Sequence, residues 1–457
     1  MATGEMKMGR LFGTDGIRGV ANVYPITPEM AMNVGRAIAH VCKSQQGRKG
    51  RIAVGNDTRL SGAMLESALT AGICSMGFDV FLTGPLPTPG IAFITNSMDM
   101  DAGIVISASH NPFQDNGIKI FSRQGFKLPD SQEEEIERII ISGEIHELRP
   151  TGDEIGRVQH IQEATERYSS FCKNTFLKNT SLKGIRIVLD CANGATSGVA
   201  PGIFSELGAN VTAIHREPNG TNINNRCGSQ HTEDLSRKVR ESGSDLGLAF
   251  DGDGDRLIAV DERGEELSGD HILAICSKMY KEQGRLKNNL VVSTVMSNYG
   301  FMAALRKIGI NHAASAVGDR YVLEMMQQRG ATIGGEPSGH MIFLDRHTSG
   351  DGIISGLQLL AALALENKSL STISQIMQSS PQKIINVEVK SKPPLESLAE
   401  LQKQIQSAEA ELDREGRVLI RYSGTQSMCR VMVEGPTAAI TDRLAGELAE
   451  IVKNCIG

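Results

Sequence analysis

One pattern recurs three times along this 457-residue chain and limits its fold more than any single motif. It is an apolar strand, a polar turn, an amphipathic helix, a glycine and a second strand. The copies are RIAVGNDTRLSGAMLESALTAGICSMGFDVFLTG at 51–84, IRIVLDCANGATSGVAPGIFSELGANVTAI at 185–214 and NLVVSTVMSNYGFMAALRKIGINHAASAVGD at 289–319. Each helical stretch carries apolar residues at three- and four-residue spacing and ends near a glycine. Two strands joined through a helix lie parallel, with a right-handed crossover. The three copies therefore predict three related α/β domains; the expected fold class gives them mixed sheets.

The last stretch breaks the pattern. INVEVKS reads as a strand, LESLAELQKQIQSAEAELDREG as a charged helix, and RVLIRYSG and CRVMVEG as two further strands. This predicts a smaller α+β domain at the C-terminus. The expected domains are 1–155, 156–262, 263–380 and 381–457, with loops at strand ends arranged around a central cleft. RPTGDEIG (149–156) reads as one linker, and the stretch from Pro381 to Pro394 as a hinge.

A formal charge of −6 argues against a general nucleic-acid binder, while leaving room for a locally basic pocket and a small anionic substrate. The eight cysteines are scattered without a CxxC pair, so they read as reduced thiols, neither disulfide frame nor zinc site. MATGEMKMGRLFG lacks the apolar core of a signal peptide, and the most apolar run, GLQLLAALALE, is too short for a membrane span and reads as a buried helix. The expectation is a cytoplasmic protein.

LAFDGDGDRLIAV (248–260) sets Asp251, Asp253 and Asp255 at strict alternation with glycine between two apolar runs. Three like charges in one turn of loop are costly unless something positive sits among them. Glycines let the backbone curl until the side chains converge, and clustered carboxylate oxygens suit a hard cation such as Mg2+. The spacing excludes a calcium EF-hand, and a solvated Asp-Gly turn would not need the alternation. Three carboxylates leave an octahedron incomplete, so further ligands are expected from elsewhere.

Three other loops carry chemistry. In ISASHNPFQDNGIKIF (106–121), Ser109 at a strand end beside His110 reads as a nucleophile or as a serine capping an Asn-Pro turn; it is not the GxSxG elbow of hydrolases. GGEPSGH (334–340) gathers Glu336, Ser338 and His340, able to bind sugar hydroxyls or move a proton, or simply solvated. RYSGTQSMCR (421–430) offers Arg421, Ser423, Gly424, Thr425 and Arg430, the donors a phosphate dianion asks for, on what is otherwise a plain hairpin.

Taken in order and spacing, LFGTDGIRG (11–19), SASHNP, DGDGDR, GEPSGH and RYSGT resemble the α-D-phosphohexomutases, the phosphoglucomutase and phosphomannomutase group, over essentially the whole chain. The resemblance implies a four-domain isomerase with a deep central cleft. It implies that Ser109 carries a phosphoryl group, with one Mg2+ per chain between that phosphate and Asp251, Asp253 and Asp255. His110 and Arg18 are then expected beside the phosphoserine, and Lys119 and His340 near the sugar oxygens as acid or base. Glu336 and Ser338 are expected on the sugar, and Arg421, Ser423, Gly424, Thr425 and Arg430 on the distal phosphate. FGTDGIRG and GEPSGH are closest to bacterial members acting on glucosamine phosphates, through glucosamine 1,6-bisphosphate as intermediate and activator; members acting on glucose or mannose phosphates are the alternative. A Mg2+-dependent phosphatase and a non-catalytic sugar-phosphate sensor are readings from other classes. The expected partner is a small sugar phosphate, with no nucleic acid and no membrane, and the expected assembly is a homodimer. The chain departs from the pattern at Gln426 and Ser427, where relatives read Glu and Pro, and at Asn56, where an arginine is frequent.

Overall fold

The computed structural model describes residues 11–13, 15–42, 48–146, 150–423 and 427–457. Four sheets follow one another along the chain. The first contains β1 (Ile17–Val20), β2 (Arg51–Asn56), β3 (Asp79–Pro85), β4 (Ala102–Ile106), β5 (Asp115–Ser122) and β6 (Val158–His160), in the order β1-β5-β4-β2-β3-β6. The second contains β7 (Arg186–Asp190), β8 (Asn210–Ile214), β9 (Leu246–Phe250), β10 (Leu257–Asp261) and β11 (Glu266–Leu267), in the order β11-β10-β9-β7-β8. The third contains β12 (Leu290–Thr294), β13 (Asn311–Ser315), β14 (Ile333–Gly335) and β15 (Met341–Phe343), in the order β13-β12-β14-β15. The fourth contains β16 (Gln382–Glu388), β17 (Arg417–Tyr422) and β18 (Met428–Glu434), in the order β16-β18-β17.

The three recurring segments are the strand pairs β2/β3, β7/β8 and β12/β13, each spanned by a helix. β2 and β3 pair in parallel, as do β7 and β8. In each sheet the first strand of the pair also has a parallel neighbour on its other side: β4, β9 or β14. That neighbour folds back at once into an antiparallel strand, β5, β10 or β15. The sheets are therefore mixed, and the fold-back loops are 107–114, 251–256 and 336–340, which hold the three motifs of the first three domains. β17 and β18 are likewise antiparallel.

Alternation decides what covers each face. Ile52, Val54, Ile104 and Ile106 share one buried cluster with residues of the helices Pro28–Val41, Gly62–Cys74 and Asp130–Ser142. GLQLLAALALE lies in the helix Gly352–Glu366, which is buried along most of its length, as an all-round apolar helix must be. All eight cysteines are unpaired. Among the described residues no helix is long and apolar enough to cross a membrane.

The structure departs from the sequence reading in three places. Residues 158–160, just past the proposed linker, form β6 and pair with β3, so the first sheet extends to His160. The stretch from Pro381 to Pro394 is no free hinge, because β16 is bonded along its whole length to β18. A further helix, Ala438–Ile456, follows the last strand and buries Leu444, Leu448 and Val452, whose spacing is helical.

By compactness the chain divides into residues 1–295 with 313–374, and residues 296–312 with 375–457. Glu434 explains why 296–312 belongs to the second unit. Its buried carboxylate accepts hydrogen bonds from Asn298 Nδ2 (3.0 Å), the Tyr299 backbone N–H (3.1 Å), Gln382 Nε2 (2.9 Å) and Arg417 Nε (2.5 Å), while Arg417 Nη2 donates to Ser297 O (2.5 Å). Breaking a buried ion pair from one side leaves an unmatched charge and typically costs about 3–5 kcal/mol. Glu434→Leu should thus lower the stability of the second unit by about 3 kcal/mol in chemical denaturation, with Glu434→Gln losing less. An unchanged midpoint for both variants would remove Glu434 as its organiser.

Candidate active site

The serine loop begins where β4 ends. Ser109 sits at φ +53°, a left-handed conformation unfavourable for a side chain with Cβ, and is fully buried. Its neighbours hold it there. The Ser109 N–H donates to Ser107 Oγ (2.9 Å), and Ser107 Oγ donates to Asp57 Oδ2 (2.6 Å). Arg59, itself buried and paired with Asp57 at 2.8 Å, donates to the carbonyls of Ser109 (2.9 Å), Asn111 (2.8 Å), Asp115 (3.0 Å) and Pro112. One guanidinium thus satisfies most of the loop's inward carbonyls.

The aspartate loop connects β9 to β10 as a hairpin but is not solvated: Asp251, Asp253 and Asp255 are 0%, 1% and 5% exposed. One oxygen from each lies within 4.8 Å of the others, an arrangement able to hold a metal ion. The backbone is clamped by Ala195 N–H on Gly252 O (2.8 Å), Thr88 N–H on Asp253 O (2.8 Å) and Gly352 N–H on Gly254 O (3.0 Å). Gly252 is required here because a Cβ would come within 2.7 Å of Ser109 O, so the missing side chain lets the two loops touch. Ser109 Oγ accordingly donates to Asp251 Oδ2 at 2.5 Å.

Lys119 on β5 supplies part of the positive charge that the aspartates need. Its Nζ lies 2.8 Å from Asp253 Oδ2, 3.4 Å from Asp255 Oδ2 and 3.0 Å from Asp15 Oδ2. Burial alone would lower its pKa, but the carboxylates of Asp15, Asp253 and Asp255 override that and hold it well above the lysine range. Asp251 is helped only by Arg256 and the Ser109 hydroxyl, which do not offset its surroundings. Burial first, then Asp255 and Asp253, push its carboxyl well above the usual range. Oδ1 of Asp253 and Oδ1 of Asp255 are buried without a hydrogen-bond partner. Two orphaned carboxylate oxygens beside a third carboxylate fit a hard divalent cation.

From Lys119 the charges continue. Asp15 also pairs with Lys127, and Lys127 with Asp319. Asp319 lies 3.6 Å from His340 Nε2, and His340 Nδ1 lies 3.6 Å from Asp255, which closes a ring. Burial would lower the His340 pKa, but Asp255, Asp319 and Glu336 raise it to about 9. The GEPSGH loop turns between β14 and β15, with the Leu257 N–H bonded to Gly339 O (3.0 Å) and the Gly269 N–H to Pro337 O (3.0 Å). Gly350 leaves room for the imidazole, since a Cβ there would meet His340 Nε2 at 2.3 Å. Glu336 Oε1 accepts from the Gly318 N–H at 3.1 Å, and Ser338 is half-buried on the same turn.

Ser109, Lys119, Asp251, Asp253, Asp255 and His340 are thus linked through direct contacts. His110 Nδ1 lies 3.5 Å from Ser109 Oγ, and burial, with Arg256 and Arg18 nearby, lowers its pKa to about 4. Arg18, on β1, bonds to Asp15 and not to Ser109. In the second unit Arg421 and Arg430 stand opposite each other on β17 and β18 and line a cavity of about 420 Å³ with Met296, Ile384, Asn386, Leu419 and Met432. Burial and then Arg430 lower the Arg421 pKa. Ser423 is buried at the mouth of the hairpin, while Gly424 and Thr425 lie outside the described residues. Sequence reasoning missed Arg59, Asp57, Lys127 and Asp319, which belong to none of the glycine-rich loops. Asp15 was visible within FGTDGIRG, without an assigned role.

Four sequence models of phosphoglucomutase/phosphomannomutase match in order: alpha/beta/alpha domain I at 9–146, domain II at 166–264, domain III at 268–380 and the C-terminal domain at 384–451. A phosphoglucosamine mutase of Syntrophobacter fumaroxidans is 57% identical over 98% of this chain and 100% of its own, and one of Syntrophus aciditrophicus is 56% identical over 98% and 100%. Among solved structures, a phosphoglucomutase/phosphomannomutase family protein from Burkholderia thailandensis matches with a TM-score of 0.81 at 23% identity, covering 97% of each chain. Aspergillus fumigatus N-acetylphosphoglucosamine mutase, solved with GlcNAc-6P and magnesium, matches with a TM-score of 0.66 at 16% identity, covering 97% of this chain and 95% of its own.

Removing the lysine tests the charge balance of this site. Lys119→Met leaves Asp15, Asp253 and Asp255 without their shared cation and should destabilise the metal-free protein by about 3 kcal/mol. Mg2+ should then raise the thermal midpoint of the variant more than that of wild type, because it neutralises the exposed deficit. Equal midpoints without metal would show that the ammonium contributes nothing there.

Proposed function

The chain belongs to the phosphoglucomutase/phosphomannomutase family, and from that premise we propose that it interconverts glucosamine 6-phosphate and glucosamine 1-phosphate. The product is the precursor of UDP-N-acetylglucosamine. The observation that carries the reading is Ser109 Oγ at 2.5 Å from Asp251, in a buried loop whose two other aspartates each keep an oxygen without a hydrogen bond. The amino sugar is the substrate because relatives 53–57% identical over the full chain are phosphoglucosamine mutases.

The phosphoryl group on Ser109 passes to the free hydroxyl of the sugar phosphate, breaking the P–O bond to Oγ and forming the 1,6-bisphosphate. The proton of the attacking hydroxyl moves to a base in the site. The bisphosphate turns around, and its other phosphoryl group returns to Ser109 Oγ, regenerating the phosphoserine. Mg2+ held by Asp251, Asp253, Asp255 and a phosphoserine oxygen would offset the charge on the transferring group. Lys119 and His340 are proposed to act near the sugar oxygens as acid or base; without metal, their carboxylate neighbours hold both of them protonated. Neutral His110 stands within reach of Ser109 Oγ. Arg18 orders Asp15, and through it Lys119. Glu336 and Ser338 are the proposed contacts for the sugar. Arg421, Arg430, Ser423, Gly424 and Thr425 are proposed to hold the phosphate that is not reacting. A cytoplasmic location and a homodimer belong to the same reading.

The Ser109→Ala enzyme should lose mutase activity and fail to gain the mass of one phosphoryl group from a hexose 1,6-bisphosphate, whereas wild type gains it; activity at the wild-type level would end the phosphoserine reading. Release of inorganic phosphate as the main product would instead indicate a phosphatase. Arg421→Ala should raise KM about tenfold by removing a charge-assisted contact, with kcat changed less. For the sugar, kcat/KM should be higher with glucosamine 6-phosphate than with glucose or mannose 6-phosphate. A preference for a neutral hexose moves the assignment to a phosphoglucomutase/phosphomannomutase.

A further inference from the structure

Asp251 is not the only second-sheet residue that reaches Ser109. Asn224, in the loop after β8, directs Nδ2 at two carbonyls of the serine loop, Ser109 O at 2.9 Å and Asn111 O at 3.0 Å. These are the same carbonyls that Arg59 Nη2 engages from the first sheet. Each oxygen is therefore held between a guanidinium and a carboxamide.

The loop bearing Asn224 is firmly anchored. Asp190, at the end of β7, accepts the Ala192 N–H on Oδ1 (2.9 Å) and the Gly228 N–H on Oδ2 (3.0 Å), and faces His215 Nδ1 at 3.0 Å. Asn193 accepts the Glu217 N–H at 3.1 Å, and the Asn224 N–H itself donates to Ala192 O at 2.9 Å. Asp190, His215 and Cys227 have ligand atoms close enough for a metal, but both Asp190 oxygens are already occupied, so the cluster acts as a brace. Two bonds then fix this brace to the first sheet: Thr58 Oγ1 to Asn193 O (2.6 Å) and the Leu60 N–H to Gly220 O (2.8 Å).

We propose that Asn224 is a positioning residue for phosphoryl transfer, fixing the nucleophile loop against the aspartate loop. The argument is geometric. Asp251 holds the Oγ end of Ser109, Asn224 holds its carbonyl end, and both are carried by the second sheet. Arg59 and Ser107 hold the backbone of Ser109 within the first sheet, whereas Asp251 and Asn224 are the two contacts that set its Oγ and its carbonyl against the aspartate loop. Gly252 lies between them: a Cβ there would come within 2.7 Å of both Ser109 O and Asn224 Nδ2. Losing the carboxamide donors should therefore misaim Oγ while leaving the groups proposed for the sugar in place.

The inference rests on Ser109 being the phosphoryl carrier, and the experiment separates the two claims. Full-length wild type, Asn224→Ala and Asn224→Asp are compared, with Mg2+ present, for kcat and KM on glucosamine 6-phosphate and for thermal midpoint. The rate at which each protein gains one phosphoryl mass from glucose 1,6-bisphosphate is read alongside. Asn224→Ala should lose about tenfold in kcat and in phosphorylation rate, and Asn224→Asp more, since a carboxylate would face two carbonyl oxygens. KM should stay within about twofold in both. Rates within about twofold of wild type in both variants overturn the proposal. So does a loss that disappears when rates are expressed per folded molecule, which would make the role purely structural. A wild-type protein that never gains the phosphoryl mass overturns the phosphoserine reading, and this inference with it.

Discussion

Lys119, Asp15, Lys127, Asp319, His340 and Asp255 form a closed ring in which every charge has a neighbour of opposite sign on each side. Lys119, His340 and Asp255 are nearly inaccessible, and no more than a fifth of the other three side chains is exposed. Isolated charges at such depth would be neutralised or expelled. Closure into a ring makes them tolerable, because each charge has two partners; removing one member takes a partner from two neighbours and leaves one charge in excess. The ring also spans loops that are far apart in the chain: the N-terminal loop, β5, the aspartate hairpin, the start of the helix Asp319–Arg329 and the GEPSGH turn.

Lys119 faces Asp253 and Asp255, and His340 faces Asp255, so Asp251 is the hairpin carboxylate farthest from the ring's cations. This accounts for the contrast between Asp255, which Lys119, His340 and Arg256 hold well below the carboxylate range against burial, and Asp251, which burial and its two neighbours push well above it. Three aspartates of identical type on one hairpin are thus distinguished by what the rest of the chain brings to each.

Much of this was legible in the sequence, for reasons of periodicity. The recurring strand–helix–strand segments announced their parallel pairing, and the glycines of DGDGD announced a tight turn. The serine, aspartate and GEPSGH loops stood out because chemistry-bearing residues cluster within a few positions of one another. Arg59 and Asp319 escaped because their partners lie far away in sequence: Arg59 acts on carbonyls some fifty residues on, and Asp319 meets Lys127 across 192 positions. No local spacing encodes such contacts. The grouping of residues 296–312 with the C-terminal unit was hidden for the same reason, since it rests on contacts across eighty positions or more, among them those of Glu434, Ser380 and Arg417.

The chemistry also explains why the buried polar network is concentrated around Ser109. In the proposed reaction both halves pass through Ser109 Oγ, once as donor and once as acceptor, while the sugar presents opposite ends to it. Contacts that recognise one orientation of the sugar too strongly would stabilise a ground state and slow the other half. Contacts that fix Ser109 serve both halves equally. Arg59, Asn224, Ser107 and Asp251 together engage every polar group of Ser109, whereas Ser338 on the proposed sugar-facing turn stays half-buried. Rigidity is placed where the two half-reactions share an atom.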